Sequence, residues 1–254
     1  MKMSTGDLYR LAGDLAAEHG KAASDFASRA VMTLEAEGAH ERAQFWFLML
    51  ILVGDVTSGR VDPDAVDEVT MVSRELKLSG LTICPAAQDF HPSDTQAMEV
   101  YEQAAALQLP IIFYPGTHLS PRTKMEYARP YLLDEVARTF PKLKMVVAHF
   151  GYPWVDEAIT LLGKHANVFC DVSSLLRRPW AAYDALVRAY QFQVIDKLLF
   201  GSDFPFTTPG ECIETIYSIN QTVMGTNMPT IPRECLRGIV ERDVLGMLGI
   251  QMPE

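Results

Sequence analysis

The sequence predicts an α/β fold, with five parallel strands preceded by a helical region, on three observations. Residues 1–57 contain no proline and place apolar residues at helical spacing. From about residue 68, short runs of Val, Ile, Leu and Phe are separated by amphipathic stretches. These runs barely alternate in polarity, which is typical of strands covered on both faces. Repeated strand–helix units indicate parallel strands joined by right-handed crossovers.

The N-terminal region predicts three short helices. Gly20 and Gly38 are expected to end the first two. The third is expected to present an apolar face formed by Phe45, Leu48 and Leu52. Residues 59–68 contain Pro63 and several aspartates, which favours a linker. We therefore divide the chain into a helical region, 1–60, and an α/β barrel-like domain, 65–254.

The predicted strands are the five apolar runs at 78–84, 110–115, 144–150, 167–173 and 197–203. The helices between them carry recognisable start signals. Ser93 and Gln96 have the spacing of a capping box. Pro209 and Pro232 have the character of first-turn prolines.

Composition excludes several classes of partner. The formal net charge of −10 over 254 residues argues against nucleic acid or an anionic membrane surface. The 4 cysteines form no C-x-x-C pair, so a zinc knuckle is not expected. The longest apolar run, 45–53, is too short for a bilayer crossing of about 20 residues. We expect a cytoplasmic protein that acts on a small molecule.

The candidate functional residues follow the predicted strands. Ligands of parallel α/β folds bind at the carboxyl ends of the strands. Four successive runs end in or near Tyr114, His149, Asp171 and Asp203. A carboxylate can bind a metal or exchange a proton, and an imidazole can polarise a carbonyl or shuttle a proton. A phenol hydroxyl can donate a hydrogen bond to an anion. The sequence therefore predicts hydrolysis or proton transfer at one rim.

Each of these residues also has a structural interpretation. His149 could be a buried hydrogen-bonding residue, and Asp171 could cap the loop after its strand. Tyr114 could be a core aromatic. Asp203, inside "GSDFP", has the weakest structural alternative, because a buried carboxylate needs a partner. Gly201 in that motif is expected to allow a close approach.

Two further features flank the predicted rim. His118 could be a substitute metal ligand or a solvated loop residue. Arg177 and Arg178 could bind a substrate carboxylate through paired hydrogen bonds or form an ordinary surface pair.

The segments "MVVAHFGYPWVDEAITLLGKHANVFCDVSSL" and "DKLLFGSDFPF" resemble the amidohydrolase superfamily. The closest branch is amidohydrolase family 2, related to aminocarboxymuconate-semialdehyde and resorcylate decarboxylases. The likeness covers roughly residues 68–250. Such proteins are distorted (β/α)8 TIM barrels that hold one divalent metal, often zinc. The resemblance implies a TIM-barrel-like metal-dependent hydrolase fold, incomplete here because five strands are predicted.

The resemblance also implies roles for individual residues. Asp203 matches a metal ligand and proton acceptor, and His149 matches the histidine that polarises the substrate or a metal-bound water. Tyr114 falls where the family has a metal-binding histidine, and Thr82 and Cys84 replace a lysine and a histidine. The His-x-His pair that supplies two metal ligands occurs nowhere in the chain. The resemblance thus implies a divalent metal, but the sequence lacks several of the side chains that bind it in the family.

Two hypotheses follow. The first is a hydrolase or non-oxidative decarboxylase of a small carboxylated or cyclic substrate, with His149 and Asp203 at the centre. Tyr114, Arg178 and Phe204 would bind the substrate. The alternative is a catalytically degenerate barrel that serves as a subunit or binding scaffold. No G-x-G-x-x-G or P-loop supports a nucleotide binder.

An incomplete barrel also has consequences for assembly. Five strands leave two open edges and an apolar lumen. We expect either the apolar segment 45–53 or a second chain to cover them, and therefore a homo-oligomer or a partner subunit.

Overall fold

A computed structural model describes residues 5–58, 78–114 and 123–250. It divides into two compact units, Met1–Leu78 and Ser79–Glu254. The predicted linker, 59–68, lies outside the described residues. The helices of the first unit are α1 Thr5–His19, α2 Ala23–Ala36 and α3 His40–Thr57.

The first unit has the predicted three helices and a small core of its own. Gly20 follows the end of α1 with φ +54°, and Gly38 follows α2 with φ +73°. Both values lie in the left-handed region that glycine adopts at low cost, so both predicted helix ends are confirmed. In α3, Leu52 is buried in this core whereas Leu48 is exposed.

The second unit contains a five-stranded parallel sheet, as predicted. Its strands pair in sequence order from β1 to β5. They are shorter than the apolar runs and span Leu81–Ile83, Ile111–Phe113, Met145–Val147, Val168–Asp171 and Leu198–Leu199.

Helices connect the strands and follow the last of them. The eight described helices of this unit are α4 Pro85–Gln88, α5 Thr95–Ala106, α6 Leu133–Thr139, α7 Val155–Lys164, α8 Pro179–Gln191, α9 Pro209–Ser218, α10 Arg233–Glu241 and α11 Val244–Leu248. None of the helices in the described part of the chain is long and apolar enough to cross a membrane.

The sheet is buried on both faces over β3 to β5. Alternate residues such as Met145 and Val168 belong to the main core beneath the helices. The intervening residues Val146, Phe169 and Leu199 form a second cluster with Leu248 of α11. This burial explains why the strand sequences do not alternate in polarity.

The C-terminal helix therefore covers part of the sheet face that a complete barrel would enclose. The cover does not extend evenly to β2, where Ile112 pairs in register with Val146 but is 38% exposed. The sequence predicts the segment 45–53 or a second chain in this role, and gives no indication that α11 contributes to it.

Candidate active site at the carboxyl ends of the strands

The four predicted rim residues follow four neighbouring parallel strands. Tyr114 comes directly after β2, and His149 is two residues beyond β3. Asp171 is the last residue of β4, and Asp203 follows β5 in an irregular segment. Because the strands are parallel and in register, their carboxyl ends lie on one edge of the sheet.

His149 is held by contacts on several sides. Its Nδ1 lies 2.8 Å from Oγ of Ser173, and its backbone N–H donates to Oδ1 of Asp171 at 3.2 Å. The ring packs edge-to-face on Tyr114, with centroids 4.9 Å apart. The residue is only 3% exposed, and its Nε2 has no hydrogen-bond partner among the described residues.

The backbone at this site adopts sparsely populated conformations. His149 has φ +55°, Phe150 φ +52° and Asp203 φ +60°. Each such non-glycine residue costs about 1–2 kcal/mol relative to the right-handed region. Strain of this kind clusters at binding and catalytic sites, where the surrounding structure enforces it.

Asp203 is a partly buried carboxyl that lies near both positively and negatively charged groups. Burial raises its pKa, while His149, Arg177 and a hydrogen bond from Ser174 act in the opposite direction. The desolvation effect is the largest, so the net shift is upward. Oδ2 of Asp203 lies 3.9 Å from the Arg177 guanidinium, which is outside direct hydrogen-bond range.

Gly201 brings the end of β5 close to the loop after β4. A Cβ atom at this position would lie 3.1 Å from Cβ of Ser173 and 3.6 Å from Oδ1 of Asp171. The structure thus agrees with the close approach that the sequence predicts at this glycine.

We predict that Gly201→Ala lowers the free energy of unfolding by about 1 kcal/mol, because the added methyl pushes against Ser173. Gly210→Ala is the matched control, since a Cβ added there would have no atom within 4 Å. Urea unfolding of both variants checks the prediction. Equal stability of the two variants would contradict it.

The remaining predicted site residues lie at different places. Arg178 has its guanidinium 5.3 Å from the ring centroid of Tyr152, and it donates to the carbonyl of Ser174 at 3.5 Å. Phe204 is 59% exposed next to Asp203. His118 lies outside the described residues.

The described residues do not fit the family's metal site. No group of three or more His, Cys, Asp or Glu side chains within the described ranges is arranged to hold a metal ion. Asp203 and His149 supply two donors, fewer than the three or four protein ligands that zinc sites use. Cys84 adds none, because burial raises the pKa of its thiol and so disfavours the thiolate that binds metals.

The sequence indicates no role for Ser173, which contacts His149. Both Arg177 and Arg178 are candidates from the sequence, and the structure places the Arg177 guanidinium 3.9 Å from the Asp203 carboxylate. The available signal is the pair of serines two and three residues after Asp171, which the sequence interpretation treats only as a loop to be capped. Asp171 accepts a hydrogen bond from the backbone N–H of Ser173 at 3.0 Å, so it also caps this loop.

Comparisons with solved structures support the barrel architecture. An uncharacterised TIM-barrel protein from Bordetella bronchiseptica superposes with a TM-score of 0.55 at 22% identity, over 71% of this chain and 61% of that one. The chain thus spans less than two thirds of that protein's length. An amidohydrolase from Burkholderia multivorans gives 0.53 at 13% identity, over 73% and 71%.

One similar structure has a metal bound. A dihydroxybenzoic acid decarboxylase from Polaromonas sp. JS666, with manganese and the inhibitor 2-nitroresorcinol, gives a TM-score of 0.50 at 14% identity. That alignment covers 98% of this chain and 86% of the decarboxylase. No curated protein matches the sequence.

The family model for amidohydrolases matches residues 10–223. The match begins well before residue 68, where the resemblance read from the sequence starts, so it includes the helical region. It covers most of the chain and contains both His149 and Asp203. The chain therefore belongs to the amidohydrolase family.

Proposed function

We propose that the chain is an acid/base enzyme that acts on a small carboxylated ring compound, by non-oxidative decarboxylation or by hydrolysis. The proposal rests on the electrostatic interaction between the buried His149 and the partly buried carboxyl of Asp203. His149 has a ring nitrogen without a partner among the described residues, and Asp203 has a raised pKa and interacts electrostatically with it. A carboxyl with a perturbed pKa at the end of a strand is typical of active sites.

Decarboxylation is the reaction that this pair suits best. The bond between a ring carbon and the carboxylate carbon breaks, its electron pair stays on the ring carbon, and CO2 leaves. The Asp203 carboxyl gives its proton to that carbon and is reprotonated from water. Nε2 of His149 accepts a hydrogen bond from a ring hydroxyl and so increases electron density at the reacting carbon.

The upward pKa shift of Asp203 agrees with the role of proton donor. A carboxyl that keeps its proton at higher pH than usual is a better general acid near neutrality. Hydrolysis would use the same pair in the opposite sense, with the Asp203 carboxylate taking a proton from water.

Cationic and aromatic side chains nearby are suited to substrate binding. We assign Arg177 to the substrate carboxylate, because its guanidinium is beside Asp203 without a direct hydrogen bond to it. Arg178, Tyr114 and Phe204 remain proposed binding residues, with Phe204 available as an exposed ring for stacking. No step is routed through a metal, because the described donors are too few.

The first substrate to test is 2,6-dihydroxybenzoate, since a similar structure is the 2,6-dihydroxybenzoate decarboxylase from Rhizobium, with a TM-score of 0.50. The protein is dialysed against EDTA, divided, and assayed for resorcinol with and without added Mn²⁺. We expect product in the untreated and metal-free samples, and at least about a 100-fold loss in His149→Gln. Product that depends wholly on Mn²⁺ would contradict the metal-independent site.

Calorimetric binding separates the proposal from its alternative. Binding of the carboxylate without any turnover would favour the binding scaffold over the enzyme. Absence of both binding and turnover would remove this substrate class.

Self-association stays a prediction, and light scattering of the purified chain checks it.

A further inference from the structure

The hydrogen bonds around His149 indicate which of its two ring nitrogens carries the hydrogen. Three donors converge on Oδ1 of Asp171: the backbone N–H groups of His149 and Ser173, and the hydroxyl of Ser173. Backbone N–H groups can only donate, so Oδ1 of Asp171 is an acceptor and the Ser173 hydroxyl beside it must donate to it as well. The single hydroxyl hydrogen of Ser173 is therefore directed to Asp171.

This assignment fixes the direction of the next hydrogen bond. Since the Ser173 hydroxyl has used its only hydrogen, its oxygen can only accept from Nδ1 of His149, 2.8 Å away. Nδ1 must then carry the ring hydrogen. In a neutral imidazole, Nε2 is consequently the nitrogen with a free lone pair.

Nε2 is the atom that lacks a partner among the described residues, and its residue is 3% exposed. A buried acceptor without a partner carries a desolvation penalty, which a bound ligand that donates to this atom would remove. Structural histidines usually have both nitrogens satisfied, so the orphaned Nε2 points to a ligand.

We propose that Asp171 and Ser173 are positioning residues that hold His149 in the Nδ1–H tautomer, and that Nε2 accepts a hydrogen bond from a donor group, such as a hydroxyl, on the ligand. The tautomer is a property of the resting protein. The donor on the ligand rests on the proposed function, because it assumes a small ring compound at this site.

The surrounding structure makes the arrangement rigid. The left-handed backbone at His149 is fixed by its hydrogen bond to Asp171, and Gly201 lets β5 pack against Ser173. Tyr114 contacts the imidazole edge-to-face and limits its rotation. Among the described residues, Ser173 supplies the hydroxyl that is bonded to Nδ1.

The test is the nitrogen NMR spectrum of the histidine rings in 15N-labelled full-length protein, with His149 assigned by the signal lost in His149→Gln. We expect Nε2 of wild-type His149 to resonate as an unprotonated nitrogen and Nδ1 as a protonated one. Ser173→Ala should produce a mixture of tautomers, and Ser173→Thr, which keeps the hydroxyl, should restore the wild-type pattern. Ser218→Ala, in α9, is the control and should leave the signals unchanged.

An Nε2–H tautomer in the wild type would overturn the proposal, and so would an unchanged tautomer in Ser173→Ala. The wild-type spectrum decides the question even if a variant fails to fold. This result does not depend on turnover, so it stands or falls separately from the proposed reaction.

The ligand arm compares 2,6-dihydroxybenzoate with 2,6-dimethoxybenzoate, which has no hydroxyl donor. We expect calorimetry to show at least about tenfold tighter binding of the hydroxylated compound, and a smaller difference in Ser173→Ala. Equal binding of the two would overturn the ligand donor. If neither compound binds, the proposed substrate class fails, while the NMR result still decides the roles of Asp171 and Ser173.

Discussion

Asp203→Asn is expected to reduce decarboxylation or hydrolysis by at least about 100-fold without reducing stability at neutral pH. The loss of activity follows from the removal of the proposed proton donor. The retention of stability follows from the cost of burying the carboxylate, which outweighs the favourable effects of His149, Arg177 and Ser174.

The pH dependence of this effect has a definite sign. The pKa of Asp203 is higher in the folded state than in the unfolded chain, because burial disfavours the charge. As pH rises above the usual range of aspartate, the unfolded chain loses this proton first and is favoured. The wild type therefore loses stability between the unfolded and folded pKa values, and Asp203→Asn does not.

Thermal unfolding of the wild type and the variant across this range checks the prediction. The two should be most alike at acidic pH, below both pKa values, and the variant should be the more stable protein near neutrality. Asp25→Asn, at an exposed position of α2, controls for a change of net charge. A variant that is less stable than the wild type at neutral pH would indicate that Asp203 is a structural residue.

Leu248→Ala is expected to lower the free energy of unfolding by about 2–4 kcal/mol. Leu248 is 6% exposed and packs in a cluster with Val146, Phe169 and Leu199 on the sheet face opposite the main core. Truncation leaves a cavity over that face, and α11, with 5 residues, is too short to hold its place without the contact.

Leu245→Ala is the matched control because it removes the same atoms from the same helix at a position that is 36% exposed. Its cost should be less than about 1 kcal/mol. Urea unfolding of both variants gives the comparison. Equal losses would contradict the conclusion that α11 stabilises the sheet by covering it.

The strands were predictable because their apolar residues do not alternate in polarity. A strand between two buried faces needs apolar side chains on both, and the runs around Met145 and Val168 meet that need. The cover over the second face was not predictable. The segment of α11 resembles any short C-terminal tail, and its partners on β3 to β5 are remote in sequence.

Helix starts illustrate the limits of local motifs. The sequence suggested a capping box at Ser93 and Gln96, but α5 begins after Asp94 without a side-chain cap. A capping box forms instead between Thr208 and Glu211 at the start of α9, where Pro209 occupies the first turn as expected. Such spacing is common in sequences, and the chain path before the helix decides whether it is used.

The placement of His149 and Asp203 after parallel strands followed from the strand pattern and the family resemblance. The side-chain contacts made by the loop between β4 and α8 could not be predicted in this way. Ser174 has φ +48°, and this irregular backbone determines that Arg177 is near Asp203 while Arg178 contacts Tyr152. No periodicity in a sequence encodes side-chain direction in such a loop.

Whether His149 and Asp203 share one site is measured most directly by the titration of the Asp203 carboxyl, followed by 13C NMR. It is followed in the wild type and in His149→Gln, with Asp203→Asn used for assignment. We predict that the pKa of Asp203 is above the usual range of aspartate and rises further when His149, which lowers it electrostatically, is replaced. An Asp203 that titrates in the usual range and does not respond to the loss of His149 would contradict a shared site.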